Sequence, residues 1–446
     1  MDLVGRDLRH LWHPCSQMRD YEGFPPLQVA SARGSHIRLD DGRVLIDAIS
    51  SWWCKSLGHG HPRLKAALAR QMERFEHVIL ANTTNETIVS LSERLAALCP
   101  GLTRVFYGGD GSTAVEIACK MALHAAKLAG RAGRGGSPRA RFMALENGYH
   151  GETAFTLGLG DLGIYKDAYR EILPEVAFLR GLPYVSSPSD PLWGDCSGHW
   201  PALERQLEAC EDLLAVVVEP VLQGAGGMLL HSPDFLRRLR AWTGAHGVYL
   251  IADEILTGFH RTGPALACGH AGIAPDFLCL SKGLTAGWLP MSAVLTGEEV
   301  YGLFYSDYGQ GRDFLHSNTY AGNALAAAVA LEALDVYRDE DIAGQAALLG
   351  EAMRRELEGI QARTGRLANL RFLGGMAAAD LVGPGVAPGA RAGFRVYREA
   401  VSRGALLRTL GDTVYWLPPL NTPLETVREL AEITAQAIEA ALPRNF

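Results

Sequence analysis

Between residues 104 and 282 the hydrophobic positions fall into short unbroken runs separated by stretches with helical spacing. Arg104-Val-Phe-Tyr-Gly108 and Arg141–Leu145 are compact apolar segments. Leu213-Leu-Ala-Val-Val-Val-Glu219, Val248-Tyr-Leu-Ile-Ala-Asp253 and Asp276-Phe-Leu-Cys-Leu-Ser-Lys282 are continuous apolar runs, each closing on a charged residue. In Thr113–Leu128, by contrast, Val115, Ala118, Cys119 and Ala122 recur at the three- and four-residue spacing of one helix face. A strand that is apolar throughout is covered on both faces. Such strands interleaved with helices predict an α/β protein with a mostly parallel sheet between helix layers. Side chains that do chemistry collect at the carboxyl ends of the strands in sheets of this kind, the place held by Glu219, Asp253 and Lys282.

From about Leu331 the pattern changes. Helical spacing over Ala324–Tyr337 and Glu351–Arg363 leads to shorter strands such as Val414-Tyr-Trp-Leu417, and a last helix is predicted over about Pro423–Leu442. A smaller α+β domain is expected here, joined by the first sixty residues. The predicted organisation is residues 1–60 in the small domain, 61–330 as the large domain and 331–446 as the rest of the small one, in keeping with a chain of 446 residues, longer than one hydrophobic core usually spans. Gly130–Pro138 and Pro183–Gly198 gather Gly, Ser, Pro, Arg and Asp and are expected to be solvated connections.

Composition narrows the class of function. A hydrophobic share of 48% with 20% charged residues suits a packed globular protein and argues against disorder. A formal net charge of −7 gives no reason to invoke nucleic acid or an anionic membrane as partner. The eight cysteines include no C-x-x-C pair and are expected to be reduced thiols. Met1–His13 lacks the apolar core of a signal peptide, and no apolar run reaches the roughly 20 residues of a membrane span, so a cytoplasmic protein is expected. His59 and His61 have no third ligand spaced to join them, and a turn built on Gly60 and Pro62 accounts for them; no metal is expected.

An unpaired ammonium at the end of an apolar strand is costly. Lys282 therefore forms either a salt bridge or a Schiff base with a bound aldehyde, for which desolvation would make its amine nucleophilic. Asp253, 29 residues earlier, offers the carboxylate that a pyridine ring such as that of pyridoxal 5'-phosphate (PLP) needs to stay protonated; the alternative is an ordinary Asp–Lys ion pair. Gly108-Gly-Asp-Gly-Ser-Thr113 stands at a strand-to-helix turn, where backbone N–H groups would meet an anion. Its G-x-G-x-x-A spacing also fits a dinucleotide fingerprint, but no acidic residue closes a second strand about 20 residues on, so a single phosphate is the better ligand. Tyr149, after the strand Arg141–Leu145, could stack on a planar cofactor or pack in a turn. A nicotinamide-dependent oxidoreductase and an inactive binding protein are the rivals from other classes.

Gly111-Ser112, Tyr149-His150-Gly151, Glu219-Pro-Val-Leu-Gln-Gly-Ala-Gly-Gly-Met228, Asp253-Glu-Ile-Leu-Thr-Gly-Phe-His-Arg-Thr-Gly263 and Ser281-Lys282-Gly283 together resemble, in order and over nearly the whole chain, the class III aminotransferases of PLP fold type I. The resemblance implies a PLP enzyme and a homodimer with shared active sites. It implies catalytic roles for Lys282, Asp253 and Tyr149, with Gly111, Ser112 and Glu219 beside them at the cofactor. Thr319, in His316-Ser-Asn-Thr-Tyr320, would reach the cofactor phosphate of the other subunit.

Trp12-His-Pro14, Ser50-Ser-Trp-Trp53, Gly58-His-Gly-His-Pro62 and Arg408 ahead of Tyr415-Trp-Leu-Pro-Pro419 are similar to the biotin-pathway branch of that family, which aminates 8-amino-7-oxononanoate, usually with S-adenosylmethionine as donor. On that resemblance Trp52, Trp53, Arg261, Ser317, Arg408 and Tyr415 would bind substrate, with Trp52 and Trp53 as an apolar wall and Arg408 on the distal carboxylate. Cys15, Glu152 and Ser317-Asn318 depart from the branch's pattern and leave lysine, the donor of some relatives, as the alternative. Another class III transaminase acting on an ω-amino acid or diamine is the rival within the fold.

Overall fold

The computed structural model describes residues 2–442 apart from 134, 135 and 137, three positions of the expected 130–138 connection. Its centre is a seven-stranded sheet made of β1 (Arg104–Gly108), β2 (Arg141–Leu145), β3 (Ala177–Leu179), β4 (Leu213–Val218), β5 (Tyr249–Asp253), β6 (Phe277–Leu280) and β7 (Ser292–Thr296). Their order across the sheet is β1-β7-β6-β5-β4-β2-β3. β7 runs antiparallel to both of its neighbours; every other pair is parallel.

Every residue of β4, β5 and β6 is buried. The reason is visible in β4, whose side chains divide between two cores. Leu214, Ala215 and Val217 pack with the helix Gly111–Leu128, while Leu213, Val216 and Val218 pack with Leu203, Leu207 and the helix Pro233–His246. A strand with a helix layer on each face has no solvated side, which is why its sequence does not alternate.

Val29–Arg33, His36–Leu39 and Val44–Asp47 form an antiparallel meander, and Ala405–Leu406 joins it parallel to Val44–Asp47, so residues from both ends of the chain share one sheet. A second antiparallel sheet, Leu367–Leu373, Met376–Leu381 and Thr413–Trp416, packs against the helices Ile342–Thr364, Ala392–Arg403 and Leu424–Ala441 around the buried Trp416. The helical stretch after residue 324 is broken once, at Asp341, whose backbone is left-handed (φ 46°) and whose carboxylate caps the next helix by accepting from Gly344 N at 3.2 Å.

Pro183–Gly198 differs from the solvated connection expected. Tyr184–Val185 pairs with Leu230–His231, Pro191–Gly194 is a helical turn, Cys196 is fully buried, and Leu192 and Trp193 pack on the core. Its apolar residues, spaced among Pro, Ser and Asp, are enough to pull the segment down. Among the described residues no helix is long and apolar enough to cross a membrane.

Candidate active site

The parallel register of β4, β5 and β6 brings Glu219, Asp253 and Lys282 to one cleft of about 480 Å³, also bordered by Trp52, Trp53, Gly109–Ser112, Tyr149–Glu152, Arg408 and Tyr415. Lys282 follows β6 with a left-handed backbone (φ 40°), uncommon for a residue with a Cβ. Among the described residues its Nζ has no hydrogen-bond or ion-pair partner; it lies 4.8 Å from the centre of the Trp53 ring. Desolvation pulls the Lys282 pKa below its ordinary value, and the charges of Asp253 and Glu219 hold it back only in part.

The Asp–Lys ion pair considered from the sequence does not form. Asp253, 4% exposed, instead accepts from His150 Nδ1 at 2.8 Å and from Ile255 N at 3.2 Å. His150 is buried, and its Nε2 has no partner among the described residues. Burial alone would lower the pKa of His150, but the bond and charge of Asp253, with Glu219 nearby, outweigh it and raise the value. Glu219 accepts from Tyr149 N and Gly224 N, both at 3.0 Å, and burial lifts its pKa to about 7 against the opposing charge of His150.

At the other end of the cleft, Asp110 caps the helix Gly111–Leu128 by accepting from Thr113 N at 2.9 Å. The first N–H groups of any helix lack partners within it, and the helix dipole makes this end attractive to anions. Gly151 stands across from Ser112 at φ 124°, and a Cβ there would collide with the Ser112 hydroxyl, so glycine is required for both conformation and space. Tyr149 donates its hydroxyl to Glu152 Oε1 at 3.0 Å, and its ring lies 5.8 Å from that of Tyr165. Trp53 Nε1 donates to Tyr415 Oη at 2.9 Å. The Arg408 guanidinium stacks 4.4 Å over the Trp52 ring, donates weakly to Cys15 O at 3.4 Å and meets no carboxylate among the described residues.

Past Cys15, Trp52, Glu152, Tyr165 and Arg408 the cleft continues into an outer chamber of about 1450 Å³ bordered by residues 13–24, 164–172 and 389–412. No group of three or more potential metal ligands occurs among the described residues.

Three residues picked from the sequence stand apart from this cleft. Ser317 and Thr319 are exposed on the surface of the chain and do not border it. Arg261 is buried behind it. Its Nη1 donates to Gly375 O and Pro418 O, both at 2.9 Å, and its Nη2 to Ser50 Oγ at 3.4 Å, while burial pulls its pKa down to about 10. Arg371 makes the reverse connection, from Leu367–Leu373 to Gly227 O (2.8 Å) and Met228 O (3.2 Å). The two arginines tie the C-terminal sheet to the loops behind the cleft from both sides. Arg261→Met is expected to lower stability in urea unfolding by about 3 kcal/mol, since it strips charged donors from two buried carbonyls.

His150 is the functional candidate to which the sequence assigned no role. A histidine beside a candidate stacking aromatic was its only signal, and nothing in the spacing joins it to an acid 103 residues away.

The chain matches the family Aminotransferase class-III over residues 17–438. It is 40% identical to the adenosylmethionine-8-amino-7-oxononanoate aminotransferase of Synechococcus elongatus, with 93% of this chain and 95% of that one aligned. To the protein of the same name from Nitratidesulfovibrio vulgaris it is 38% identical, over 95% of this chain and 80% of the other. Among solved structures, one of that name from Methanocaldococcus jannaschii superposes with a TM-score of 0.88 at 27% identity, covering 98% of both chains. A PLP-bound amine transaminase from an uncultivated Pseudomonas species superposes at 0.86 with 31% identity, covering 97% of this chain and 98% of that one. Motifs, fold and relatives agree along almost the whole length, and the chain belongs to the class III aminotransferases.

Proposed function

We propose that this aminotransferase works with PLP and converts 8-amino-7-oxononanoate to 7,8-diaminononanoate, a step of biotin biosynthesis, with S-adenosylmethionine as amino donor. The observation that carries the reading is one cleft holding an unpartnered lysine amine, a strand-end carboxylate backed by histidine, and, beyond an indole wall, an arginine that meets no carboxylate among the described residues.

The donor set fits PLP. The carboxylate of Asp253 suits a protonated ring nitrogen, the glycine turn and first helical N–H groups at Gly111 and Ser112 suit a phosphate, and Lys282 suits an aldehyde. Tyr149 supplies an aromatic ring at the same cleft, held at its backbone by Glu219 and at its hydroxyl by Glu152. When bound, PLP supplies a sink for the electron pair left as a proton leaves the carbon that carries the amino group.

The remaining work falls to the chain. Lys282, with its pKa pulled down by desolvation, takes up and returns that proton through Nζ. His150 donates from Nδ1 to Asp253, which holds the carboxylate in its orientation. Trp52 and Trp53 exclude water along an aliphatic substrate, and Arg408 binds its distal carboxylate through two N–H groups. Ser317 and Thr319 lie outside the cleft of their own chain, close in sequence to the exposed Leu315 and Tyr320, which supports the homodimer in which they serve a second copy.

The outer chamber favours S-adenosylmethionine over lysine. Lysine would end within the inner cleft, whereas a nucleoside attached to the reacting amino acid needs the adjoining space, which carries Tyr21, Tyr165, Tyr169 and Tyr397 along its walls. Holoenzyme supplied with 8-amino-7-oxononanoate is expected to form the vicinal diamine with S-adenosylmethionine and not with lysine, as read by mass spectrometry of the product. Diamine formed only with lysine overturns the donor; no diamine with either overturns the acceptor.

A further inference from the structure

The indole wall is mounted on a strained turn. Ser50, Ser51, Trp52 and Trp53 have φ of 48°, 57°, 146° and 69°, four consecutive positive values with no glycine among them. Each such residue costs free energy, and conformations of this kind persist only where the surroundings over-determine them. The surroundings here are a buried polar network. The Asp47 carboxylate, fully buried at the end of Val44–Asp47, accepts from Ser51 N at 2.8 Å, Ser51 Oγ at 2.7 Å and His59 Nε2 at 2.8 Å. His59 is itself fixed by a pair of backbone bonds to Gly34, at 2.8 and 2.9 Å. Ser50 Oγ donates to Leu417 O at 2.7 Å. Burial would raise the Asp47 pKa, but its bonds to His59 and Ser51 outweigh that and hold the acid below its ordinary range.

What the turn achieves is the placement of two neighbouring rings. In extended backbone successive side chains leave on opposite faces. Here both indoles border the same cleft, Trp53 4.8 Å from Lys282 Nζ and Trp52 4.4 Å from the Arg408 guanidinium. One ring stands at the amine-handling end, the other at the carboxylate-binding end. The interval between the two rings depends on the dihedral angles of residues 52 and 53.

We propose that Asp47, with Ser51 and His59, is a positioning element that sets the chain length of the acceptor: the network locks the turn at the spacing that suits a carbonyl separated from its carboxylate by several methylenes. The proposal rests on the roles given above to Lys282 and Arg408. Neither Asp47 nor His59 borders the cleft, so their effect on substrate runs through the two tryptophans.

The test is a length profile. Holoenzyme is assayed with a homologous series of oxo acids of increasing carbonyl-to-carboxylate separation, and with a short ketone that has no carboxylate. The wild type should show a length optimum. Asp47→Asn should lower the ratio of kcat/KM between the optimum and an acceptor two methylenes shorter by about tenfold, the scale of methylene discrimination in an apolar pocket, mainly through KM, while turnover of the uncharged ketone stays within about threefold. Ser51→Gly, which tolerates the left-handed backbone but removes the hydroxyl, covers the case in which Asp47→Asn does not fold and should flatten the profile in the same direction. A loss equal for all acceptors means general structural support and overturns the proposal, as does an unchanged ratio in the folded variants or a wild type without an optimum. A wild type with an optimum that nevertheless leaves 8-amino-7-oxononanoate untouched overturns the acceptor assignment instead, and the ratio in the variants still decides the role of Asp47.

Discussion

Lys282→Ala is expected to bind PLP and yet lose turnover by about 10⁴-fold, the upper range for removing a positioned general base. Among the described residues nothing stands ready to replace the amine: Asp253 is taken up by His150, and Lys55, a second lysine near the cleft, donates to Gly287 O at 2.7 Å. Cofactor retention follows because the groups suited to the phosphate and the ring, at Gly111, Ser112 and Asp253, are untouched. Steady-state kinetics of the reconstituted variant measures the loss, and millimolar methylamine is expected to restore part of it by supplying the missing base. Activity within tenfold of wild type would assign the proton transfer to another residue. Lys282→Arg separates charge from basicity, since a guanidinium keeps the cation but does not release its proton near neutral pH.

Lys282, Glu219 and Asp253 could be picked out from the sequence because the signal was local: an apolar run, long enough for a strand, ending in a charge. The same runs gave the parallel core of the sheet. They did not reveal β7, whose Ser292-Ala-Val-Leu-Thr296 is as apolar as the others, because strand direction is set by connections and not by composition. Arg261 marks another limit. A guanidinium next to a cofactor motif reads equally well as a ligand for substrate or as an anchor for carbonyls, and the carbonyls it holds belong to Gly375 and Pro418, more than a hundred residues on. The bond from Trp53 to Tyr415 spans 362 residues. The resemblance points to both tryptophans and the tyrosine but carries nothing of their geometry.

The turn at Ser50–Trp53 was the least legible element. Left-handed backbone announces itself in sequence through Gly or Asn, and this segment has neither. Its conformation comes from Asp47 and His59, whose side chains reach it from a strand and a loop. Spacing gives His59 no metal and a place in a turn, while its hydrogen bond to a buried acid has no counterpart in the local pattern.

Asp253→Asn is expected to lower turnover by about 10³-fold, the cost of removing one preorganised charge from the reacting centre. The amide keeps the shape of the acid and one oxygen for His150, so the packing of β5 should survive and the melting temperature should change little. What it loses is the negative charge that favours a protonated ring nitrogen. In the proposed role His150 acts through Asp253, which it touches at Nδ1. The expected consequence is non-additive. His150→Asn alone should cost turnover about tenfold, by releasing one oxygen of the carboxylate from its donor, whereas in the Asp253→Asn background the same change should cost almost nothing. Equal losses in both backgrounds would mean that the histidine reaches the reaction by a route of its own, through Nε2, which has no partner among the described residues.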